Sequence, residues 1–118
     1  MHAKNGPLQP FFHLFIVLTD PEPGSGKLVA VMVQTKEKYT DDTVVLQVGD
    51  HPFVKHPTAV QFATASYYFD GKIARALENG TCHQRASLSD EVLNRVRRGL
   101  LDSPFTVNDV RAYCRIKF

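Results

Sequence analysis

The sequence predicts a mainly β protein with C-terminal helices, an α+β class in which a small, partly open β-barrel is packed by two or three α-helices. Three observations predict it. Short β-branched and aromatic runs at residues 11–18, 28–33 and 44–48 are separated by turn residues. From about Asp70 the apolar spacing becomes helical. The length, 118 residues, suits one core. The expected organisation is therefore a single domain over residues 1–118, with the barrel at 11–69 and a helical extension at 70–118.

The elements follow in order. Between the first two runs, Asp20-Pro21-Glu22-Pro23-Gly24-Ser25-Gly26 excludes regular structure and makes a surface loop or long hairpin connection. Each run is almost continuously apolar, which suggests burial on both faces, or a barrel wall with a helix against it. Residues 49–58 carry two prolines and a glycine and take an irregular path, after which residues 59–63 and 66–69 supply one or two further strands. Ile73, Ala74 and Leu77 share one face of a short helix that Asn79-Gly80 stops. A second helix covers about residues 88–101, with Ser89 as N-cap, Leu88 stapled to Leu93, and Val92, Leu93, Val96 and Leu100 as its apolar stripe. Ser103-Pro104 ends it. Thr106 is expected to cap a third helix, with Asp109 completing a capping-box variant and Phe105 stapling onto Val110; its inner face is Val107, Val110 and Cys114.

Composition excludes several classes of protein. With 43% apolar and 22% charged residues, 7 Gly and 7 Pro, the chain is neither disordered, collagenous nor coiled coil. The net charge of +2 neither demands nor forbids a nucleic-acid partner. Residues 1–80 hold 7 basic and 8 acidic side chains, and residues 81–118 hold 7 and 4, so the helical end is the basic end. Cys82 and Cys114 lack the close spacing of a redox pair or metal knuckle and read as buried or idle thiols in a reducing compartment. The apolar run at 11–18 is well short of the roughly 20 residues of a membrane span, and His13 interrupts it. Thr19-Asp20-Pro21 follows it, where a signal peptide would place a small-residue cleavage site. A cytoplasmic protein without a membrane partner is expected.

No high-specificity motif is present. Gly24-Ser25-Gly26-Lys27 looks like the tail of a phosphate loop, but Pro21 stands where the first glycine would be needed. The densest group of polar chemistry is Asp50, His51, Lys55 and His56 within residues 49–58. Three readings compete there: histidines fixing turns through backbone hydrogen bonds, His51 and His56 as metal ligands with Asp50, and phosphate binding or acid-base work. The metal reading has no geometric compulsion, and no metal or cofactor is expected. His13, inside an apolar strand, reads as a core or edge histidine. Thr35, Lys36 and Lys38 would meet a phosphate or simply solvate a loop. Arg95, Arg97, Arg98, Arg111 and Arg115 would bind nucleic acid or, on the reading that leads, form wet helix faces, with Arg95, Arg98 and Arg115 placed to pair locally.

A strand ending in Thr19-Asp20, a second ending in Thr35, a third of Val-Val-Leu type and then Val54-Lys55-His56-Pro57-Thr58-Ala59-Val60 and Ser66 resemble the barrel core of the PemK/MazF family of plasmid-maintenance toxins. The resemblance covers roughly residues 11–77. Closer still, His13-Leu14-Phe15-Ile16-Val17-Leu18-Thr19-Asp20-Pro21 and Gly49-Asp50-His51-Pro52-Phe53-Val54-Lys55-His56 look like an uncharacterised bacterial branch related to that family. The resemblance implies an SH3-like barrel and metal-independent cleavage of single-stranded RNA. It places His13 where the family has a catalytic Arg, and the family's Thr or Ser on Thr35, or on Gln34 if the register slips by one. Its expected chemistry falls to His13, Thr35 and His56, a histidine serving as acid or base in 2′-OH attack on phosphate. Lys36, Asp50, His51, Lys55 and Thr58 would hold the substrate. The implied partners are single-stranded RNA, an antitoxin-like protein and a second copy of the chain. The competing expectation is a non-catalytic SH3-like interaction module that has lost the nuclease residues. In a variant of it the helices over residues 88–115 act as a helix-turn-helix, although their joint equally suits a plain αα corner.

Overall fold

The computed structural model describes residues 2–4, 12–84 and 86–118, and the side chains of residues 2–4, 12, 13, 82 and 83 lie outside that description. Along the chain run β1 (His2–Lys4), β2 (Phe12–Val17), β3 (Lys27–Thr35), β4 (Val45–Leu46), β5 (Thr58–Phe69), α1 (Asp70–Glu78), β6 (Cys82–His83), α2 (Asp90–Asp102) and α3 (Asn108–Lys117). The strands form one antiparallel sheet in the order β4-β5-β3-β2-β1-β6, open between its two outer strands. This is the expected α+β class, an open barrel-like sheet followed by helices. No helix among the described residues is long and apolar enough to cross a membrane.

Alternation along the central strands builds the core. Leu14 and Ile16 of β2 lie opposite Val33 and Val31 of β3, and all four are buried. Their register neighbours Phe15 and Met32 turn to the other face and are only half-buried. The second half of the barrel comes from one strand where the sequence left room for two. β5 is 12 residues long, but its pairing jumps from Ala30↔Ser66 to Met32↔Gln61, so four of its residues stand against Val31 alone. The Thr64 hydroxyl fills the gap: it accepts the Met32 amide at 2.9 Å and donates to the Gln61 carbonyl at 2.6 Å. Such a bulge bends a strand, here letting the start of β5 pair with β4 while its end follows β3. The third expected strand shrinks to Val45–Leu46 because Asp50 closes a turn behind it. Its carboxylate takes the Gln47 amide at 2.8 Å and its own amide donates to the Gln47 carbonyl at 3.0 Å, leaving Val48 exposed.

The helices start and stop largely as their capping residues direct. Asn79 ends α1, with Gly80 beyond it at a φ of 80°. The α1 start is tied back to the 20–26 loop, for the Asp70 amide donates to the Gly26 carbonyl at 3.0 Å. Gly26 sits at a φ of 72°, and a Cβ there would run into the Asp70 carboxylate. Ser89 caps α2 as expected, its hydroxyl accepting the Val92 amide at 3.3 Å, while Val92, Val96, Gly99 and Leu100 are buried. The third helix departs from expectation at its start. Val107 is its N-cap, without a side-chain cap bond, and Val107 and Phe105 are exposed. The Thr106 hydroxyl donates instead to the Leu100 carbonyl at 2.7 Å, and Arg111 donates to the carbonyls of Leu101 and Ser103. The orphan carbonyls at the end of α2 compete for these polar groups, and they win.

Candidate functional site

The ladder between β3 and β5 brings most of the nominated residues to one end of the sheet. Thr35 stands opposite Thr58, and one residue on, the Lys36 amide donates to the Pro57 carbonyl at 3.0 Å. The Thr58 hydroxyl, buried, donates to the His56 carbonyl at 2.9 Å and so holds the 55–57 corner against the strand. Thr35, Lys55 and His56 present exposed side chains at this end. The Lys36 ammonium folds onto the Glu37 carbonyl at 2.7 Å, and His56 Nδ1 lies 3.4 Å from the Pro57 carbonyl. His13 belongs to β2, opposite Ala3 of β1 and next to the Leu14↔Val33 pair. Its side chain lies outside the described residues.

Two nominated residues are committed to holding the loop. The buried His51 ring accepts the Phe53 amide at Nδ1, 3.0 Å away. This fixes its proton on Nε2, which donates to the Ala86 carbonyl at 2.6 Å. His51 thereby closes its own turn and pins Ala86 to it. Asp50 caps the Gln47 amide and pairs with Arg95 at 2.6 Å. The Gln47 amide, together with Arg95, outweighs the smaller penalty of burial and holds the Asp50 carboxyl below the usual carboxylate range. The turn-fixing reading of the histidines is the one the His51 contacts match, and Asp50 closes a turn that the sequence did not assign to it. Among the described residues no three His, Cys, Asp or Glu side chains gather as a metal ligand set. Replacing His51 by Ala removes both backbone partners and is expected to cost about 2 kcal/mol, read as a lower urea midpoint with faster amide exchange at residues 86–88.

Other polar groups have structural partners that sequence spacing does not announce. Arg97 Nε donates to the Leu18 carbonyl at 3.0 Å, and its guanidinium lies over the Phe118 ring. Lys27 places its ammonium 4.6 Å from the Tyr67 ring centroid and 4.7 Å from that of Tyr113. The Tyr113 hydroxyl donates to Glu22, and the Tyr67 hydroxyl to Asp109, each at 2.6 Å. Burial, aided by those carboxylates, pushes both phenols up to about 12, so they stay protonated and clamp α3 to β5 and to the loop between β2 and β3. Burial likewise pushes the Cys114 thiol up to about 11, which makes it a poor nucleophile.

A concavity of about 370 Å³ lies elsewhere, between β2, α1 and the residues Gln84 and Ala86 to Leu88. Its lining is mostly apolar, including Phe15, Val17, Ile73, Leu77, Leu88 and Leu93, with His51, Gln84 and Ser87 as polar points. The helical period over 73–77 hinted at one wall, but the other depends on tertiary packing. Fold and sites thus define an α+β protein with an open antiparallel sheet, a polar exposed sheet end and a separate apolar groove. The chain matches no protein family, no curated protein and no solved structure.

Proposed function

We propose that the protein is a toxin-like RNA-binding protein of the PemK/MazF kind, taking single-stranded RNA at the polar sheet end and cleaving it without a metal. The observation that carries this reading is the placement of exposed Thr35, Lys55 and His56 at or beside the Thr35↔Thr58 end of the β3–β5 ladder. Lys55 supplies the cation for a phosphate. Thr35 supplies a neutral donor, and His56 the group that moves a proton during 2′-OH attack. In this reading Asp50, His51 and Thr58 shape the loop rather than touch the RNA. An antitoxin-like protein and a second copy of the chain remain proposed partners, as does a cytoplasmic location.

The test is incubation of the purified protein with mixed single-stranded RNAs, with and without a chelator. Cleavage that survives the chelator is expected, with His56→Ala lowering its rate about 100-fold or more. Lys55→Ala is expected to weaken RNA binding about five-fold and to flatten its salt dependence. Intact RNA under both conditions, together with no detectable binding, would refute the proposal. The apolar groove favours a second reading, an interaction module in which the sheet displays a peptide-binding surface.

A further inference from the structure

The connection that leaves β3 carries the most exposed large apolar side chain among the described residues, Tyr39, at 90%. Exposure alone says little, since single apolar side chains on a surface are common. What sets Tyr39 apart is the backbone beneath it. Residues Glu37 to Thr40 form a turn with Lys38 and Tyr39 at its tip, closed by the Thr40 amide on the Glu37 carbonyl at 3.4 Å. The Thr40 hydroxyl donates to the same carbonyl at 2.9 Å and accepts the Glu37 amide at 3.2 Å, and the Lys36 ammonium gives that carbonyl a third donor at 2.7 Å. On one side the turn is tied to the 55–57 corner, through the Lys36 amide and the Pro57 carbonyl. On the other, buried Asp41 ties it to Ser103. A braced turn, not a slack loop, holds the ring out in water.

The ring is also close to the polar sheet end. Tyr39 lies three residues beyond Lys36, so their Cα atoms are at most about 11 Å apart, and the Lys36 amide bonds to the corner that presents Lys55 and His56. The Lys38 ammonium stands 5.4 Å from the Tyr39 ring centroid, and one ammonium covers one face only, which leaves the other face open to a planar partner. Charge does not single out the turn, because exposed Glu37 and Asp42 stand beside Lys38. The ring is what the turn offers. We propose that Tyr39 is a stacking platform for one base of the single-stranded RNA whose phosphate Lys55 holds, an inference that rests on the RNA-binding reading above and adds to it an uncharged point of contact. Every base has a π-face, so stacking of this kind adds affinity with little sequence preference, and a ring already held in place loses little freedom on binding. A protein partner matches less well, since aromatic anchors of protein interfaces sit within a rim of contacts that excludes water, and the neighbours of Tyr39 at the tip are charged.

The probe is a short, dye-labelled single-stranded RNA of mixed sequence, carrying 2′-O-methyl groups so that it stays intact, titrated with the full chain and followed by fluorescence anisotropy. A companion series lacks the base at one position at a time. Tyr39→Ala is expected to weaken binding about ten-fold, while Tyr39→Trp holds it within about two-fold of the parent. The salt dependence should keep its slope in Tyr39→Ala, in contrast to the flattening expected for Lys55→Ala, because stacking releases no counterions. Removing the base that meets the ring should cost the parent about ten-fold and the Ala variant almost nothing, a coupling that only a direct contact produces. The urea midpoint of Tyr39→Ala should match the parent, as suits a side chain that is 90% exposed. Binding by Tyr39→Ala within two-fold of the parent would overturn the stacking role and leave the ring to a protein partner, with the RNA-binding reading still standing. Equal losses in both proteins at every missing base would overturn it in the same way. A parent protein that binds none of the oligomers would overturn both.

Discussion

Replacing Phe62 by Ala is expected to remove about 3–5 kcal/mol of stability, the largest single loss in the sheet. Phe62 is fully buried in the β5 bulge, where its ring meets α2. The meeting is close because residue 99 has no side chain. A Cβ on Gly99 would fall 2.8 Å from Phe62 Cζ and would run into a Val44 methyl. Ring and helix backbone fill each other's space, so truncating the ring leaves a void between two elements that other contacts hold in place. The reverse substitution tests the same fit. Ala is the better helix former by about 1 kcal/mol, yet Gly99→Ala should still destabilise, because the neighbours it strikes are buried core side chains. Combining Gly99→Ala with Phe62→Leu should cost less than the two changes summed, a coupling readable from urea midpoints at constant m-value. A Gly99→Ala protein more stable than the parent would contradict this packing.

The strands and helices were legible wherever the signal was local. Short β-branched and aromatic runs located β2 and β3, Asn79-Gly80 stopped α1, and Ser89 capped α2. The sequence was silent where a side chain chose a distant partner. Thr64 looks like any strand threonine, and only the folded sheet shows its hydroxyl standing in for a cross-strand bond. Thr106 has the spacing of an N-cap, but the Leu100 carbonyl six residues back was the needier partner. The link between Glu22 and Tyr113 crosses 91 residues and leaves no pattern at all.

The candidate site was legible in part, and for the same reason. Residues 49–58 stood out because polar groups crowd an irregular segment, a feature that binding loops and tightly tied loops share. Contacts separate the two: Asp50 and His51 face inward to Gln47, Arg95, Phe53 and Ala86, while Lys55 and His56 face water. The groove was invisible, because it needs β2, α1 and the residues Gln84 and Ala86 to Leu88 brought together.

Asp41→Ala is expected to cost about 3 kcal/mol, since it removes a buried charged acceptor on which three donors depend. Asp41 is 7% exposed and accepts the Thr43 amide at 2.9 Å, the Thr43 hydroxyl at 2.6 Å and the Ser103 hydroxyl at 2.7 Å. Ser103 is fully buried at the end of α2 and its oxygen in turn accepts the Phe105 amide at 3.1 Å, so the carboxylate ties the β3–β4 connection to the turn between α2 and α3. Burial alone would raise the carboxyl, but the bonds from Thr43 and Ser103 reverse that and hold it below the usual carboxylate value. A carboxyl lowered by folding binds its proton more readily in the unfolded chain. Its contribution is therefore complete above the unfolded value, about pH 4, and is lost as pH falls through the lower folded value. Asp41→Asn keeps the shape but cannot accept from both hydroxyls, and it does not titrate. The stability gap between parent and Asn variant, measured by urea unfolding, should be flat from about pH 5 to 7 and shrink steadily below about pH 4. A gap that stays constant down to about pH 2.5 would mean that the carboxylate's charge adds nothing to this junction.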